Sequence, residues 1–394
     1  MQASPSDDKR TPSAPAVSTP VQVPVDVTTA TSRDVIVIGS NSFEAAVPLG
    51  DWHLARAFAR QNHRVLYVNP VRSVFTYGAR RFGARTRLSV AADSRIAALT
   101  PIGVYGRLRG VPAGIQGRWV TYQVRAAAAR LGMRDPLVLT VRPERGIWSG
   151  LSRGPLVYWQ KDAEWTAVNV AHPEWTHRSY LRLLHAADVV VTVSARLRDL
   201  ARENGVAAVI VPNGCDLSAA DRETPEPPAL AGLTRPRAVY AGSVSGRVDT
   251  ELFDRLVREF PAVAFIIIGS GDTRMPEAPN VHVVGQLSFD ELRSYLRYAD
   301  VGLVPYTPSD FNAASRPLKI YDYLAAGLPV LATGINVDGL DELVVRAAAD
   351  HDEAVVTFAR LIEQSADLQQ AALAEARRNT WDARLETLLA LAYS

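Results

Sequence analysis

Short runs of apolar residues, rich in Val and Ile, alternate along the chain with stretches whose apolar positions recur every three or four residues. The first run is Asp34–Gly39 (DVIVIG), followed by an amphipathic segment from Pro48 to Gln61 and a second run at Arg64–Val68. Others lie at Pro136–Val141, Pro155–Trp159, Asp188–Val193 and Ala207–Val211. Strands that are apolar throughout are covered on both faces, and helices between them are the crossovers of a parallel sheet. Pro212-Asn213-Gly214 breaks the pattern, and the polar stretch from Asp216 to Pro236, with Pro225, Pro227 and Pro228, reads as a linker. The alternation resumes with Ala238–Gly242, Ala264–Gly269, Val281–Gly285, Val301–Pro305 and Pro329–Thr333. Helices are predicted at Asp249–Glu259, Phe289–Tyr298 and Arg316–Ala326, and through the Ala- and Leu-rich C-terminus.

The pattern predicts an α/β chain of two Rossmann-like doubly wound parallel-sheet domains. Residues 34–213 form the first and 237–375 the second, with 214–236 between them and a C-terminal helix at 376–394. In such sheets ligands sit at the carboxyl ends of strands, so each domain supplies one wall of a central cleft. Met1 to Arg33, rich in Pro, Ser, Thr and Val without an apolar core, predicts a disordered tail and no signal peptide.

Length and composition narrow the function. The 394 residues suit two domains, and a net charge of +2 gives no electrostatic case for nucleic-acid binding. No apolar run approaches the roughly 20 residues of a spanning helix. The single cysteine, Cys215, can form neither an internal disulfide nor a thiolate zinc site, which suits a reducing, cytoplasmic setting. Between Arg80 and Arg145 basic residues gather with few acids (Arg81, Arg85, Arg87, Arg107, Arg109, Arg118, Arg125, Arg130, Arg134, Arg142). Solvated helix faces explain them; so does a basic surface for anionic lipid at the inner face of a membrane, or for a phosphate-bearing acceptor.

Candidate chemistry concentrates in the second half. Ala238–Gly242 leads into Ser243-Val244-Ser245-Gly246 and a helix start, and such a turn presents free N–H groups to a diphosphate. Gly269-Ser270-Gly271 repeats the arrangement one strand later, although tight packing explains such glycines as well. In Ser315–Val330 (SRPLKIYDYLAAGLPV), Pro317 and Gly327 bound a helix on which Lys319 and Asp322 share a face. The cation can meet phosphates and the carboxylate can accept from sugar or ribose hydroxyls; alternatively the two form a surface ion pair.

The run from Asn280 to Thr333 (NVHVVGQLSFDELRSYLRYADVGLVPY … RPLKIYDYLAAGLPVLAT) resembles the donor-binding half of GT-B glycosyltransferases. It is most similar to the family-four-like enzymes of bacterial surface polysaccharide synthesis, and distantly to the xanthan glucuronosyltransferase. Val193-Ser194, Val211-Pro212-Asn213-Gly214 with Asp216, and Gly269-Ser270-Gly271 extend the resemblance. It implies a GT-B architecture and a nucleotide-sugar donor, UDP- or GDP-linked, held by Gly242, Ser243, Arg247, Gly269, Gly271, Gly285, Ser315, Arg316, Lys319 and Asp322. It also implies a last helix that crosses back onto the first domain, anchored by Trp381. One departure matters: the family signature sets two acids eight positions apart, and with Asp322 as the second, the first falls on Ala314. A retaining mechanism is therefore not carried over.

On the first domain, Ser40–Glu44 and Asp51-Trp52-His53 are expected at the cleft, with His53 orienting an acceptor or packing inside. Tyr158–Trp165 (YWQKDAEW) ends a strand in aromatic and acidic residues. The matching turn in similar enzymes carries an Asp, so Asp162 is expected as the catalytic base, with Glu164 and Glu144 in reserve; an N-cap role competes. Lys319, with Arg247 or Arg316 and backbone N–H groups, would stabilise the leaving diphosphate without a metal or other cofactor. Asp350-His351-Asp352 has the acid-x-acid form of a metal site but reads as a helix start. The expected activity is sugar transfer to a hydroxyl of a glycan, lipid-linked glycan or natural-product acceptor. A nucleotide-sugar 2-epimerase and a non-catalytic nucleotide-binding subunit are the alternatives.

Overall fold

A computed structural model describes residues 32–73, 87–90, 95–103, 113–143, 148–167, 170, 172–218, 224–271 and 274–394. The tail before Ser32, Glu144, Arg80, Arg81, Arg85, Arg107, Arg109 and Arg145 lie outside the described residues. Residues 32–394 form one compact unit.

The first part of the chain runs β1 (Asp34–Ile38), α1 (Gly50–Arg60), β2 (Arg64–Val68), β3 (Arg72–Ser73), β4 (Arg87–Val90), β5 (Ile96–Thr100), β6 (Ile102–Gly103) and α2 (Ala113–Arg130). It continues through β7 (Leu137–Thr140), β8 (Leu156–Gln160), α3 (Pro173–Ala186), β9 (Val189–Thr192), α4 (Ala195–Glu203) and β10 (Val209–Ile210). Apart from the β3–β6 pair, these strands make one sheet in the order β10-β9-β8-β7-β1-β2-β5-β4, parallel except where β4 meets β5. Val35, Ile36 and Val37 are fully buried, as a strand covered on both faces requires. The apolar runs foretold this sheet except at β4, whose residues are all at least partly exposed, and β5, where the small side chains of Ala97 and Ala98 keep the run from standing out.

The second part runs β11 (Arg237–Ala241), α5 (Thr250–Glu259), β12 (Ala264–Ile268), β13 (Val281–Gly285), α6 (Phe289–Arg297), β14 (Val301–Pro305), α7 (Asp310–Ala314) and α8 (Leu318–Ala325). Then come β15 (Val330–Thr333), β16 (Val345–Ala348), α9 (His351–Arg378) and α10 (Trp381–Ala392). Its sheet, β13-β12-β11-β14-β15-β16, is wholly parallel. Side-chain N-caps start these helices except α8, which Pro317 begins: Asp249 accepts from Leu252 N–H, Asp350 from Glu353 N–H, and Ser288 with Glu291 forms a reciprocal capping box on α6. Each contributes about 1 kcal/mol.

In each sheet the strand order reverses once, between β1 and β7 in the first and between β11 and β14 in the second. Loops leaving opposite faces diverge there and open a crevice at the carboxyl ends. The two crevices meet. Ser194 Oγ donates to the Ala314 carbonyl at 2.6 Å, and Asn213 Nδ2 donates to the Arg316 carbonyl at 2.7 Å. The stretch expected as a linker is held down where it is described: Arg237, buried at the start of β11, donates to the Leu230 and Leu233 carbonyls, and Leu230 enters the second core. At the other end Cys215 N–H donates to Asn379 O, where α9 breaks before α10 turns onto α1. Trp381 starts α10 fully buried, edge-on to Trp159 and stacked on His53 at 5.3 Å. Among the described residues no helix is long and apolar enough to cross a membrane.

Candidate active site

Between the two sheets lies a cavity of about 590 Å³. The first sheet contributes Ser40 after β1, Val141 after β7, and Lys161, Asp162, Glu164 and Trp165 after β8. The second contributes Gly242, Ser243 and Arg247 after β11, Gly269 and Ser270 after β12, and Tyr306 with Ser315–Lys319 and Asp322 after β14.

Lys319 lies on the first turn of α8, directed at the turn after β11. A Cβ on Gly242 would stand 2.7 Å from its Nζ, and Gly242 has φ +140°, so this turn approaches the ammonium only because it lacks a side chain. Gly269 packs below it; a Cβ there would meet the Gly242 carbonyl oxygen at 2.0 Å. The ammonium sits 3.8 Å from the Tyr240 ring centroid and 5.1 Å from that of Tyr306, and its nitrogen is buried with no hydrogen-bond acceptor. Burial accordingly pulls the Lys319 pKa down. A buried ammonium that faces two rings, with the Tyr306 hydroxyl near it but no acceptor in hydrogen-bond geometry, is well placed for an anion.

Asp322, one turn on, is half-buried. Burial pushes its carboxyl up to about 7, helped by Asp216 and opposed by Arg293 and Lys319. No ion pair within 4.0 Å joins Lys319 to Asp322, which removes the surface-pair reading of that helix face. Arg247 is fixed by its neighbours: Nε donates to Asn312 Oδ1 at 2.7 Å, Nη2 donates to Ser315 Oγ at 2.8 Å, and the guanidinium lies over Tyr306 and Phe311.

Across the cavity, Asp162 follows β8. The short helical turn at Glu164–Thr166 is capped by Ala163 without a side-chain bond, so Asp162 is not its N-cap. Its carboxylate makes no hydrogen bond among the described residues, and burial raises its pKa against the pull of Arg247 and Lys161.

The structure departs from several expectations. Gly271 and Gly285 do not border the cavity. Gly271 packs against Val244, whose carbonyl oxygen would meet a Cβ at 1.6 Å, and the Gly285 carbonyl accepts from Gly269 N–H. Both shape the backbone behind the site. Ser315 is buried, its hydroxyl engaged by Arg247 and the Asn312 carbonyl. The Arg316 guanidinium donates from Nη2 to the Asp338 carbonyl at 2.6 Å, while its Nε is buried without a partner and the residue borders the cavity. His53 is buried away from the cavity, between Trp381, Phe289 and Asp216, and burial lowers its pKa. Ala314 packs in the first apolar core while its carbonyl accepts from Ser194. Asp350-His351-Asp352 caps α9 and pairs with Asp249 and Arg255; none of the three borders the cavity. Among the described residues no three His, Cys, Asp or Glu side chains group as a metal site.

Pattern reading missed a buried network below the first wall. Asp51, fully buried on α1, accepts from Ser40 N–H (2.9 Å), Ser40 Oγ (2.7 Å), Tyr67 Oη (2.6 Å) and Lys161 Nζ (2.5 Å). An acid in the first turn of a helix reads as a dipole partner, and only the fold brings Tyr67 and Lys161 to it.

Residues 235–372 match the family Glycosyl transferases group 1. The chain is 29 % identical over 134 residues to TuaH of Bacillus subtilis, named a teichuronic acid biosynthesis glycosyltransferase, covering 32 % of this chain and 34 % of that one. It is 31 % identical over 180 residues to the UDP-glucuronate:glycolipid 2-beta-glucuronosyltransferase of Xanthomonas campestris pv. campestris, covering 45 % of this chain and 42 % of that one. Each match thus spans less than half of the curated relative. Among solved structures, trehalose-6-phosphate synthase OtsA superposes with a TM-score of 0.64 at 12 % identity over 92 % of this chain and 99 % of that one. HepE of Anabaena, solved with UDP, gives 0.62 at 14 % over 91 % and 98 %. Starch synthase IV of Arabidopsis thaliana, with ADP and acarbose, gives 0.63 at 12 % over 92 % and 99 %. These likenesses establish a GT-B fold of two Rossmann-like domains.

Proposed function

From a chain that carries a glycosyl transferases group 1 domain on a GT-B fold, we propose a glycosyltransferase that moves a sugar from a UDP- or GDP-linked donor to an acceptor hydroxyl. The observation that carries the reading is the Lys319 ammonium, buried without an acceptor beside the open turn at Gly242 and Ser243. A diphosphate supplies the missing oxygens. Asp322 takes the ribose or sugar hydroxyls, and Arg247 adds a second cation in a fixed position.

Asp162 is the base. Its carboxylate takes the proton of the acceptor hydroxyl while the oxygen attacks the anomeric carbon, the bond from that carbon to the diphosphate oxygen breaks, and the nucleoside diphosphate leaves. Lys319, Arg247 and the N–H groups near Gly242 stabilise the charge that develops on the leaving oxygen, with no metal required. With Ala314 where the family signature has its first acid, this scheme inverts the anomeric centre, and proton NMR of the product reads that outcome.

The relatives' names make UDP-glucuronate and UDP-hexoses the donors to test first, and glycolipid or polysaccharide intermediates the acceptors. A place at the inner face of a membrane agrees with α2, which contains no acid and exposes Arg118, Trp119, Tyr122, Arg125 and Arg130, the two rings stacked at 5.8 Å. Sedimentation with anionic against zwitterionic vesicles tests that contact. Calorimetry with UDP, GDP and their sugars tests the donor site. Binding of one nucleoside diphosphate that is lost in Lys319→Ala is expected, and binding unaffected by that change would discard the site.

A further inference from the structure

A cation stands next to the base in sequence, and a base needs its electron pair free. Lys161 immediately precedes Asp162, both border the cavity, and an ammonium within reach of that carboxylate would pair with it and weaken it as a proton acceptor. The fold directs Lys161 elsewhere. Its Nζ reaches inward to Asp51 Oδ1 at 2.5 Å and lies 4.7 Å from the Trp159 ring centroid, leaving the side chain 18 % exposed.

We propose that Asp51 is a positioning residue for the transfer reaction: it sequesters the Lys161 ammonium beneath the first wall and so leaves the Asp162 carboxylate unpaired for the acceptor hydroxyl. This rests on Asp162 being the base.

The local chemistry supports the division of labour. Asp51 is fully buried and receives four donors from three separate segments, the turn after β1, strand β2 and the end of β8. Burial pushes its carboxyl upward, yet Lys161, Tyr67 and Ser40 together hold it well below the usual carboxylate range, so it is a constant anion. Tyr67 is tied down by the same carboxylate and by donation to the Asn41 carbonyl at 3.1 Å, and Arg142 faces it from the β7 side. The groups that face Asp162 are Lys161 beside it, Arg247 across the cleft, and Tyr158 of β8 behind it. Of the two cations, Arg247 is anchored by Asn312 and Ser315, so Lys161 is the one whose direction a single partner decides.

The experiment is a titration of carboxyl carbons by NMR in protein labelled at Asp Cγ, with Asp162→Asn used for assignment and UDP binding used to confirm a folded site. In Asp51→Asn the freed ammonium turns to Asp162, and its midpoint falls by about one pH unit or more. Under donor and acceptor turnover the acidic limb of kcat/KM moves by the same amount while UDP affinity stays at the wild-type value. The double variant Asp51→Asn/Lys161→Met returns the Asp162 midpoint close to wild type, a recovery that a merely structural Asp51 would not give. An Asp162 midpoint unchanged in Asp51→Asn overturns the proposal. Should that variant not fold, Lys161→Met decides: an Asp162 midpoint close to wild type upholds the proposal, and one raised by about a pH unit or more, which would mean that Lys161 already pairs with Asp162, overturns it. Failure of the base assignment is separate, because Asp162→Asn with wild-type transfer would leave the carboxyl titrations readable.

Discussion

The two walls of the cleft handle charge in opposite ways. Below the first wall, Asp51 and Lys161 complete one another within hydrogen-bond distance, with Tyr67 and Ser40 filling the remaining lone pairs. In the second, the Lys319 nitrogen is buried without a hydrogen-bond acceptor, and Asp322 beside it is driven toward neutrality. A buried charge that the protein satisfies serves the scaffold, whereas one left unsatisfied marks where a ligand completes the structure. Arg247 lies between these cases, anchored by Asn312 and Ser315 yet bordering the cavity. Asp162 is the first wall's exception, a half-buried carboxylate that no donor engages, and it is there that the contrast is best broken.

The largest effect is expected at that exception. Asp162→Asn keeps the shape and removes the proton acceptor, so turnover should fall about a hundredfold or more, the scale of general-base catalysis. Nucleotide affinity, which belongs to the other wall, should stay where it was. Calorimetry with UDP or GDP alongside initial rates separates the two, and a variant that turns over at the wild-type rate would return Asp162 to the scaffold.

Lys319→Ala should do the reverse. Loss of a charge-assisted contact weakens binding by about 1.5–3 kcal/mol, or roughly 10- to 150-fold in Kd for UDP or GDP. Removing an unpaired buried ammonium relieves the apo protein of a desolvated charge, so its Tm should hold or rise. The pairing of weaker ligand binding with undiminished stability is the signature of a ligand-directed charge. Gly242→Ala probes the same contact from the opposing turn. A side chain at φ +140° and 2.7 Å from Nζ introduces strain of about 1–3 kcal/mol, so both Tm and nucleotide affinity should drop, the latter by about tenfold. Affinity equal to wild type would show that this turn does not touch the donor.

Most strands were readable from the chain because apolar runs in a doubly covered parallel sheet are continuous, and Val301–Pro305 agrees with its strand to the residue; the part-exposed Val281–Gly285 was read as well, whereas β4, β5 and β16 were not. The Lys319 and Asp322 pair was readable because it depends on helical spacing within a single element. What could not be read joins distant segments. Asp51 meets Lys161 across 110 positions, and Arg247 meets Asn312 across 65, and no local pattern encodes such pairings. The same blindness left His53 open between the cleft and the interior, which α10 decides by bringing Trp381 onto it, and hid the bond from Arg316 to the Asp338 carbonyl 22 positions away.

The smallest expected effect sharpens the contrast through pH. The Asp322 carboxyl is pushed from an ordinary 3.8 to about 7 in the folded protein, chiefly by burial, so the folded state holds its proton more tightly than the unfolded chain does. Stability linked to that proton is fully present below the unfolded value and is lost as pH rises, mostly between about pH 4 and 7. The apo protein should therefore show a Tm that declines across that interval, and Asp322→Asn, which carries no titrating group, should flatten the decline. Binding runs the other way. The ionised carboxylate is the better acceptor for ribose hydroxyls, so the affinity ratio of wild type to Asp322→Asn for UDP should grow from pH 6 to pH 8, titration of the phosphate itself cancelling in the ratio. Parallel slopes for the two proteins, in Tm and in affinity, would mean that Asp322 is a satisfied group like Asp51 and that the donor wall owes its open charge to Lys319 alone.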